Sequence, residues 1–393
     1  MSDQILVLNS GSSSIKFALF TATDNPLRVL QGTISGLGAT PTFSACDATA
    51  KPLFAELPAG STARPLTHES ALGWLFDWLD THGHSQRMLG AGHRVVHGGK
   101  RYAEPVRIDA GVLAGLEQLV PMAPLHQPHN LAAIRALMEL QPQLPQAACF
   151  DTAFHRTQPA LAQHFALPRE ITASGVRRYG FHGLSYEHIA SVMPAHLGTR
   201  ADGRIIAAHL GNGASMCALY QRRSIASTMG FTALDGLMMG TRCGAIDPGV
   251  LFYLMREKAM TADEVEDLLY RRSGLLGVSG LSSDMRELEA SSDPRAREAI
   301  ELFVYRAARE VGSLAAALGG LDALVFTGGI GERSTRVRAM ICEQSRWLGI
   351  ELDPDANRAH STLISSKASR VAVCVIPTDE EVVIARHAYR LLA

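Results

Sequence analysis

ILVLNSGSSSIKFALF (residues 5–20) is an apolar run, a turn of glycine and serines, and a second apolar run. It reads as two strands joined by a tight small-residue turn. Two hundred residues later, IIAAHLGNGASMCALY (205–220) lies on it without gaps. Gly11 falls on Gly211, Ala18 on Ala218, Leu19 on Leu219, and the apolar run 5–8 on 205–208. A repeated strand–glycine turn–strand points to a duplicated domain. Outward from these hairpins, helical and strand signals alternate. Residues 71–79 (ALGWLFDWL) predict a buried helix, and 147–150 a short strand ending at Asp151. Ser185, followed by Glu187, His188 and Ile189, predicts a capped helix start. Apolar residues recur at helical spacing over 298–318, with a stop at Gly319-Gly320. Residues 324–326 and 371–376 predict strands, the second leading to a last helix. The fold class is therefore α/β in two related halves, 1–150 and 151–380, with helix 381–393 packing back on the first. Residues 37–65, rich in Ala, Pro, Thr and Ser, predict a small excursion within the first half.

At 393 residues the chain is long for one domain, and 47% hydrophobic against 19% charged residues supplies real cores. Lys plus Arg is 37 and Asp plus Glu 38, a net charge of -1 without a basic block. Such a surface offers little to nucleic acid or an anionic membrane. No run approaches the roughly 18–20 apolar residues of a membrane span. The start, MSDQILVLNS, has no basic n-region, so no signal peptide is expected. Six scattered cysteines without a C-x-x-C pair read as reduced thiols and a cytoplasmic setting.

The chemistry points to the glycines. Three glycine-rich turns follow strands, at 9–14, 211–213 and 328–331, where backbone N–H groups can approach phosphate oxygens. None fits G-x-x-x-x-G-K-[ST], which excludes a Walker P-loop. Lys16 is a cation for phosphates or a solvated strand lysine. His93 and His97 lie four apart among glycine and β-branched residues, so they sit on a strand rather than as helical zinc ligands. His126 and His182 occupy loops rich in proline and glycine; with Arg94 and Arg242 they form a cationic set for an anionic substrate. Asp151, at a strand end, can hold Mg²⁺, take a proton or cap the next segment. Thr378 and Glu381 have capping-box spacing, which leaves Glu380 for a metal.

LNSGSSSIKF, GHRVVHGG, PLHQPHN, FDTAFH, YGFHGLSY, HLGNGAS, STMGFT, GTRCGAIDPG, FTGGIGE and PTDEE follow one another from position 8 to 381. Together they resemble the acetate kinase family, within the acetate, propionate and butyrate kinases, over essentially the whole chain. The resemblance implies two ribonuclease-H-like domains of the actin, sugar-kinase and Hsp70 superfamily, with ATP in a cleft between them and a homodimer. It implies Mg²⁺ (Mn²⁺ the alternative) at Asn9 and Glu380, and Lys16 on the nucleotide phosphates. Arg94 is implied as ligand of the carboxylate or acyl phosphate, with His126 beside it. Asp151 resembles the family's acid/base, and His182 and Arg242 its transition-state stabilisers. His209, Leu210, Gly211, Asn212 and Gly213, then Asp284, Met285 and Arg286, and Gly329, Ile330, Gly331, Glu332 and Arg333 look like the nucleotide wall. Val96, Leu125, Phe181 and Ala233 would surround the acyl group. The implied reaction is ATP plus a short carboxylate giving ADP plus an acyl phosphate, in either direction, with propionate as the competing acyl substrate. A nucleotide-switch ATPase on the same fold is the rival of another class; the cationic set argues for an acceptor site instead. The chain departs from the family at Ala233, where proline is usual, at Ala245 and Asp379, where aspartate and asparagine are usual, and at Met285.

Overall fold

The computed structural model describes residues 3–54, 66–84 and 87–393. The chain divides into two compact units: Met1–Ala153 with Asp379–Ala393, and Phe154–Thr378. The first unit holds a sheet of eight strands: β1 Gln4–Ser10, β2 Ser14–Thr21, β3 Arg28–Ser35, β4 Thr42–Asp47, β5 Pro52–Leu53, β6 Met88–Val95, β7 Val106–Arg107 and β8 Gln146–Phe150. Their order is β5-β4-β3-β2-β1-β6-β8-β7. The second holds five: β9 Arg204–Leu210, β10 Ala214–Tyr220, β11 Arg223–Ser227, β12 Ala323–Thr327 and β13 Ala372–Val375, in the order β11-β10-β9-β12-β13.

These five strands repeat β3-β2-β1-β6-β8. In both units the first three strands are antiparallel neighbours, and the next two join in parallel. The duplication holds, but the ungapped match does not survive the turn. Ser10 pairs with Ile15, whereas Leu210 pairs with Ala214. The second hairpin is one residue tighter, so Ala18, opposite Val7, corresponds to Cys217, opposite Ala207, and not to Ala218. The apparent identities Ala18–Ala218 and Leu19–Leu219 are coincidences of numbering.

β1 reads as a continuous apolar run because both its faces are covered. Leu6, Leu8 and Ala91 join the core made with helices His68–Thr81 and Gln127–Leu140. On the other face, Gly90 and Gly92 admit the last helix, Glu380–Leu392. A Cβ at Gly90 would come 2.4 Å from Leu392 Cδ1, and one at Gly92 2.6 Å from Ile384 Cγ2.

Several local expectations change. Residues 42–53 are not an excursion: β4 and β5 extend the sheet, while residues 55–65 lie outside the described residues. The helix expected over 298–318 begins at Pro294, capped by Asp293, and ends on Gly319 in the left-handed region. Residues Gly328–Arg333 form a short helix rather than a turn. Its first residue must be glycine, since φ is +76° and a Cβ would lie 2.8 Å from Leu210 O. Ser185 does not cap its helix, which starts two residues earlier at Gly183 with His182 at the N-cap. Thr378 and Glu381 likewise form no capping box. The cap is Asp379, which accepts from Val382 N–H at 3.1 Å, so Glu381 falls one position short of the third helical residue.

Candidate active site

In the first unit the expected site residues gather at the ends of adjacent strands. Lys16 on β2 pairs across the ladder with Asn9 on β1, and Lys16 is exposed. On β6, Arg94 is the residue after His93, which pairs with Leu8 of β1. Asp151 follows β8 and donates its N–H to Val95 O. The Arg94 guanidinium grips Asp151 with Nη2–Oδ2 2.6 Å and Nε–Oδ1 3.0 Å, and its Nε stands 3.7 Å from Glu380 Oε2. Burial works against charge on Arg94, but the pull of Asp151 and Glu380 outweighs it and holds its pKa above the ordinary value. Two carboxylates around one guanidinium carry a net charge of about −1. All donors here are hard oxygens, including the amide of Asn9, so the set suits a divalent cation such as Mg²⁺.

Two residues that sequence reasoning passed over hold this arrangement. Asn130 accepts from Val96 N–H at 3.0 Å and donates to Ser10 O at 2.7 Å, pinning the ends of β6 and β1 together. Gln127 brackets His97, accepting from its N–H and donating to its carbonyl. Both lie in the PLHQPHN block, which was the only signal for them. Val96 is buried, whereas Leu125 and His126 are half-buried just before the helix Gln127–Leu140. His93 is a core residue: it bonds Gln146 at 2.7 Å, and burial pushes its pKa down to about 4. Among the described residues no group of three or more His, Cys, Asp or Glu is placed to hold a metal.

The second unit contains a cavity of about 400 Å³ lined by Gly211 and Asn212, Ser283 to Arg286, Glu289, Gly329, Ile330, Arg333 and Ser334. Three distant segments expected to form a nucleotide wall thus share one pocket. Glu332 and Gly331 do not line it. Glu332 Oε1 instead accepts from Gly328 N–H at 3.0 Å and Thr378 N–H at 3.2 Å, locking the turn. Arg286 is tied back to Asp284, whose pKa falls to about 2 chiefly through the side-chain bond from Arg286.

Just beyond Gly211 and Asn212, a Cβ at Gly213 would come 3.3 Å from His182 Nε2 and 4.0 Å from Arg242 Nη1. The bare face of this glycine is where the two expected stabilisers meet. His182 has φ +56°, uncommon outside glycine, and its ring stacks on His209 with centroids 4.4 Å apart. Its Nδ1 lies 2.8 Å from Ser215 Oγ. Arg242 Nη1 donates to the carbonyl of Ala233 at 3.0 Å, so Ala233 takes part through its backbone. The loop carrying Ala233 is fixed in turn by Arg178–Asp235 at 3.1 Å and by Tyr179 N–H on Gly230 O. Phe181 is buried, and its carbonyl accepts from His155 Nε2 at 2.9 Å. Burial drives the pKa of His155 down to about 4. Of the acyl-pocket candidates, Val96 and Leu125 belong to the first unit and Phe181 and Ala233 to the second.

Comparison with known proteins agrees along the full length. Residues 4–386 match the Acetokinase family. The acetate kinase of Rhodopseudomonas palustris is 58% identical over 398 residues, covering 100% of this chain and 99% of the relative. Among solved structures, a propionate kinase from Francisella tularensis superposes with TM-score 0.92 at 37% identity, and the Porphyromonas gingivalis acetate kinase with 0.88 at 37%, each covering both chains completely. With two repeated sheets and matches of this length, the chain belongs to the acetokinase family and is a kinase.

Proposed function

We propose that the protein is an acetate kinase, transferring the γ-phosphoryl group of ATP directly and reversibly to acetate, with Mg²⁺, to give acetyl phosphate and ADP. One observation carries this reading: three consecutive residues link a nucleotide-sized cavity, edged by Gly211 and Asn212, to a glycine faced by His182 and Arg242. Backbone N–H groups of the turn and two side-chain donors are the means of stabilising charge spread over phosphoryl oxygens. Gly211 to Gly213, His209, Leu210, 284–286, Gly329, Ile330 and Arg333 serve the nucleotide, with Glu332 fixing the turn that carries the last three, and Lys16 serves its phosphates. Arg94, His126, Val96 and Leu125 of the first unit serve the acceptor, as do Phe181 and Ala233 of the second.

Asn9 and Glu380 would hold the divalent ion, which when bound neutralises phosphate charge. An acetate acceptor is already ionised at neutral pH, so Asp151 need not take a proton. Its tight pairing with Arg94 suits the organiser's part: it orients the guanidinium and metal ligands. The Francisella likeness supports a second acyl substrate, propionate, used less well. We assign the active form to a homodimer in the cytoplasm. The helix Pro248–Glu257 buries none of its residues, and Val250, Phe252, Tyr253 and Met255 are exposed, an apolar face suited to a second copy. No described helix is long and apolar enough to cross a membrane.

The test is acyl-hydroxamate formation from ATP and Mg²⁺ with a panel of short carboxylates. Acetate should give the highest kcat/KM, followed by propionate. ADP release at the same rate without any carboxylate would overturn the assignment in favour of a nucleotide switch.

A further inference from the structure

His182 is held from behind by hydroxyl groups that the reaction itself does not call for. Its Nδ1 lies 2.8 Å from Ser215 Oγ, which lies 2.5 Å from the Tyr186 hydroxyl. Ser215 and Tyr186 are both fully buried. They come from different elements: Ser215 from β10, and Tyr186 from the first turn of the helix Gly183–Leu197 that begins after His182. The stacked ring of His209 is held in the same way, with Nδ1 2.8 Å from Oγ of the buried Ser185. In each imidazole Nδ1 meets a serine, while Nε2 faces the glycine turn. A Cβ would stand 3.3 Å from His182 Nε2 at Gly213 and 4.0 Å from His209 Nε2 at Gly211.

We propose that Ser215 and Tyr186 are positioning residues for phosphoryl transfer. They form a buried hydroxyl relay that sets the plane and tautomer of His182 and keeps its Nε2 a donor. The proposal rests on the role assigned above to His182.

Hydroxyls suit the task because each both donates and accepts. With neutral His182 protonated on Nε2, Nδ1 accepts from Ser215 O–H, and Ser215 Oγ accepts from Tyr186 O–H. When Nδ1 takes up a proton, the chain reverses. Nδ1–H then donates to Ser215 Oγ, and Ser215 O–H donates to the Tyr186 oxygen. Neither state loses a hydrogen bond, and Nε2 carries a proton in both. A carboxylate in place of Ser215 would accept only and would favour the charged ring. A methyl group would leave Nδ1 without this partner and the ring free to present the other tautomer.

The experiment is a double-mutant cycle in kcat, with ring ¹⁵N–¹H NMR of His182 as the direct readout. Ser215→Ala and Tyr186→Phe should each lower kcat by about tenfold, the scale of one hydrogen bond, with KM for ATP and acetate within about twofold. In a His182→Ala background neither should lower kcat further. The His182 ring should read as the Nε2–H tautomer in the native protein and as a mixture in Ser215→Ala, and Ser215→Thr should restore both signals. If Ser215→Ala does not fold, Tyr186→Phe, which removes one oxygen atom, decides alone. Additive losses in the His182→Ala background, or an unchanged ring signature, would overturn the relay. A His182→Ala enzyme with native kcat would remove the catalytic role of His182, and the NMR signature would still decide whether the relay sets the tautomer.

Discussion

Opposite Asn9 in the first hairpin stands Lys16; opposite His209 in the second, at the equivalent place in the ladder, stands Ser215. The scaffold is the same, and the chemistry at one cross-strand position differs. The first unit puts a full, mobile cation there, exposed on its strand. The second puts a short buried hydroxyl there, and its donors arrive on other elements, as His182 at a helix start and Arg242 on a loop. A lysine brings its charge on a flexible stem, whereas a ring or guanidinium held by fixed partners is oriented beforehand. The turns differ by one residue, yet the ladder keeps Lys16 and Ser215 at equivalent places, so the two hairpins differ there in side chain and not in face.

The comparison is most exposed to Arg94→Ala and Arg242→Ala, one in each unit. Each should lower kcat by roughly 10²–10³ or more, on the scale of losing an oxyanion-hole donor. They should differ in a thermal melt. Arg94→Ala takes a guanidinium from a buried carboxylate and should cost about 3–5 kcal/mol, whereas Arg242→Ala should leave Tm near native. A raised KM with unchanged kcat in either would move that arginine to ground-state binding.

Acid should strain both units alike. His93 in the first and His155 in the second have folded pKa values of about 4, against an unfolded value near 6.5. The unfolded chain therefore binds more protons between about pH 6.5 and pH 4. The stability these rings contribute is complete above the upper limit and is lost as pH falls through that window, on the order of 3 kcal/mol each. Denaturant titrations of His93→Gln and His155→Gln should each show a shallower fall of stability over that range. A slope equal to the native one in either variant would mean that the histidine is not held neutral.

Smaller again is the cap on the last helix. Asp379→Ala should cost about 0.5–2 kcal/mol and leave the Mg²⁺ requirement intact. Glu380→Ala should weaken Mg²⁺ activation with little change in Tm. Exchange of these two phenotypes would reverse the division between cap and metal residue. The least effect is expected at position 233. Proline keeps the carbonyl that Arg242 grips but fills more space, so Ala233→Pro should raise the acetate-to-propionate ratio in kcat/KM by about tenfold or less. An unchanged ratio would show that the side chain at 233 does not set acyl size.

What the residues announced and what they concealed follow a physical line. β1 and β9, both faces covered, are written as unbroken apolar runs, and their glycine turns could be read directly. The long helix Pro294–Leu318 showed its period and its terminal glycine. Turn length was hidden, since Gly11 and Gly211 align whichever way the second strands slide. Caps are hidden for a related reason: Thr378 and Ser185 belong to valid patterns, yet the helices start at Glu380 and Gly183. Ser215, Tyr186 and Asn130 left no chemical signature, because a buried hydroxyl or amide becomes functional only through a partner distant in sequence.

The last helix has a consequence for synthesis. Gly90 and Gly92 are shaped to receive Leu392 and Ile384, and every residue of Phe154–Thr378 leaves the ribosome before Asp379 does. At about 5–20 residues per second, the first unit waits on the order of tens of seconds with one face of β6 uncovered, while the second can already be complete. The half begun first is finished last. Nascent chains should therefore depend on a chaperone that shields that face, and tethering the helix segment to the first unit earlier in the chain should remove the dependence.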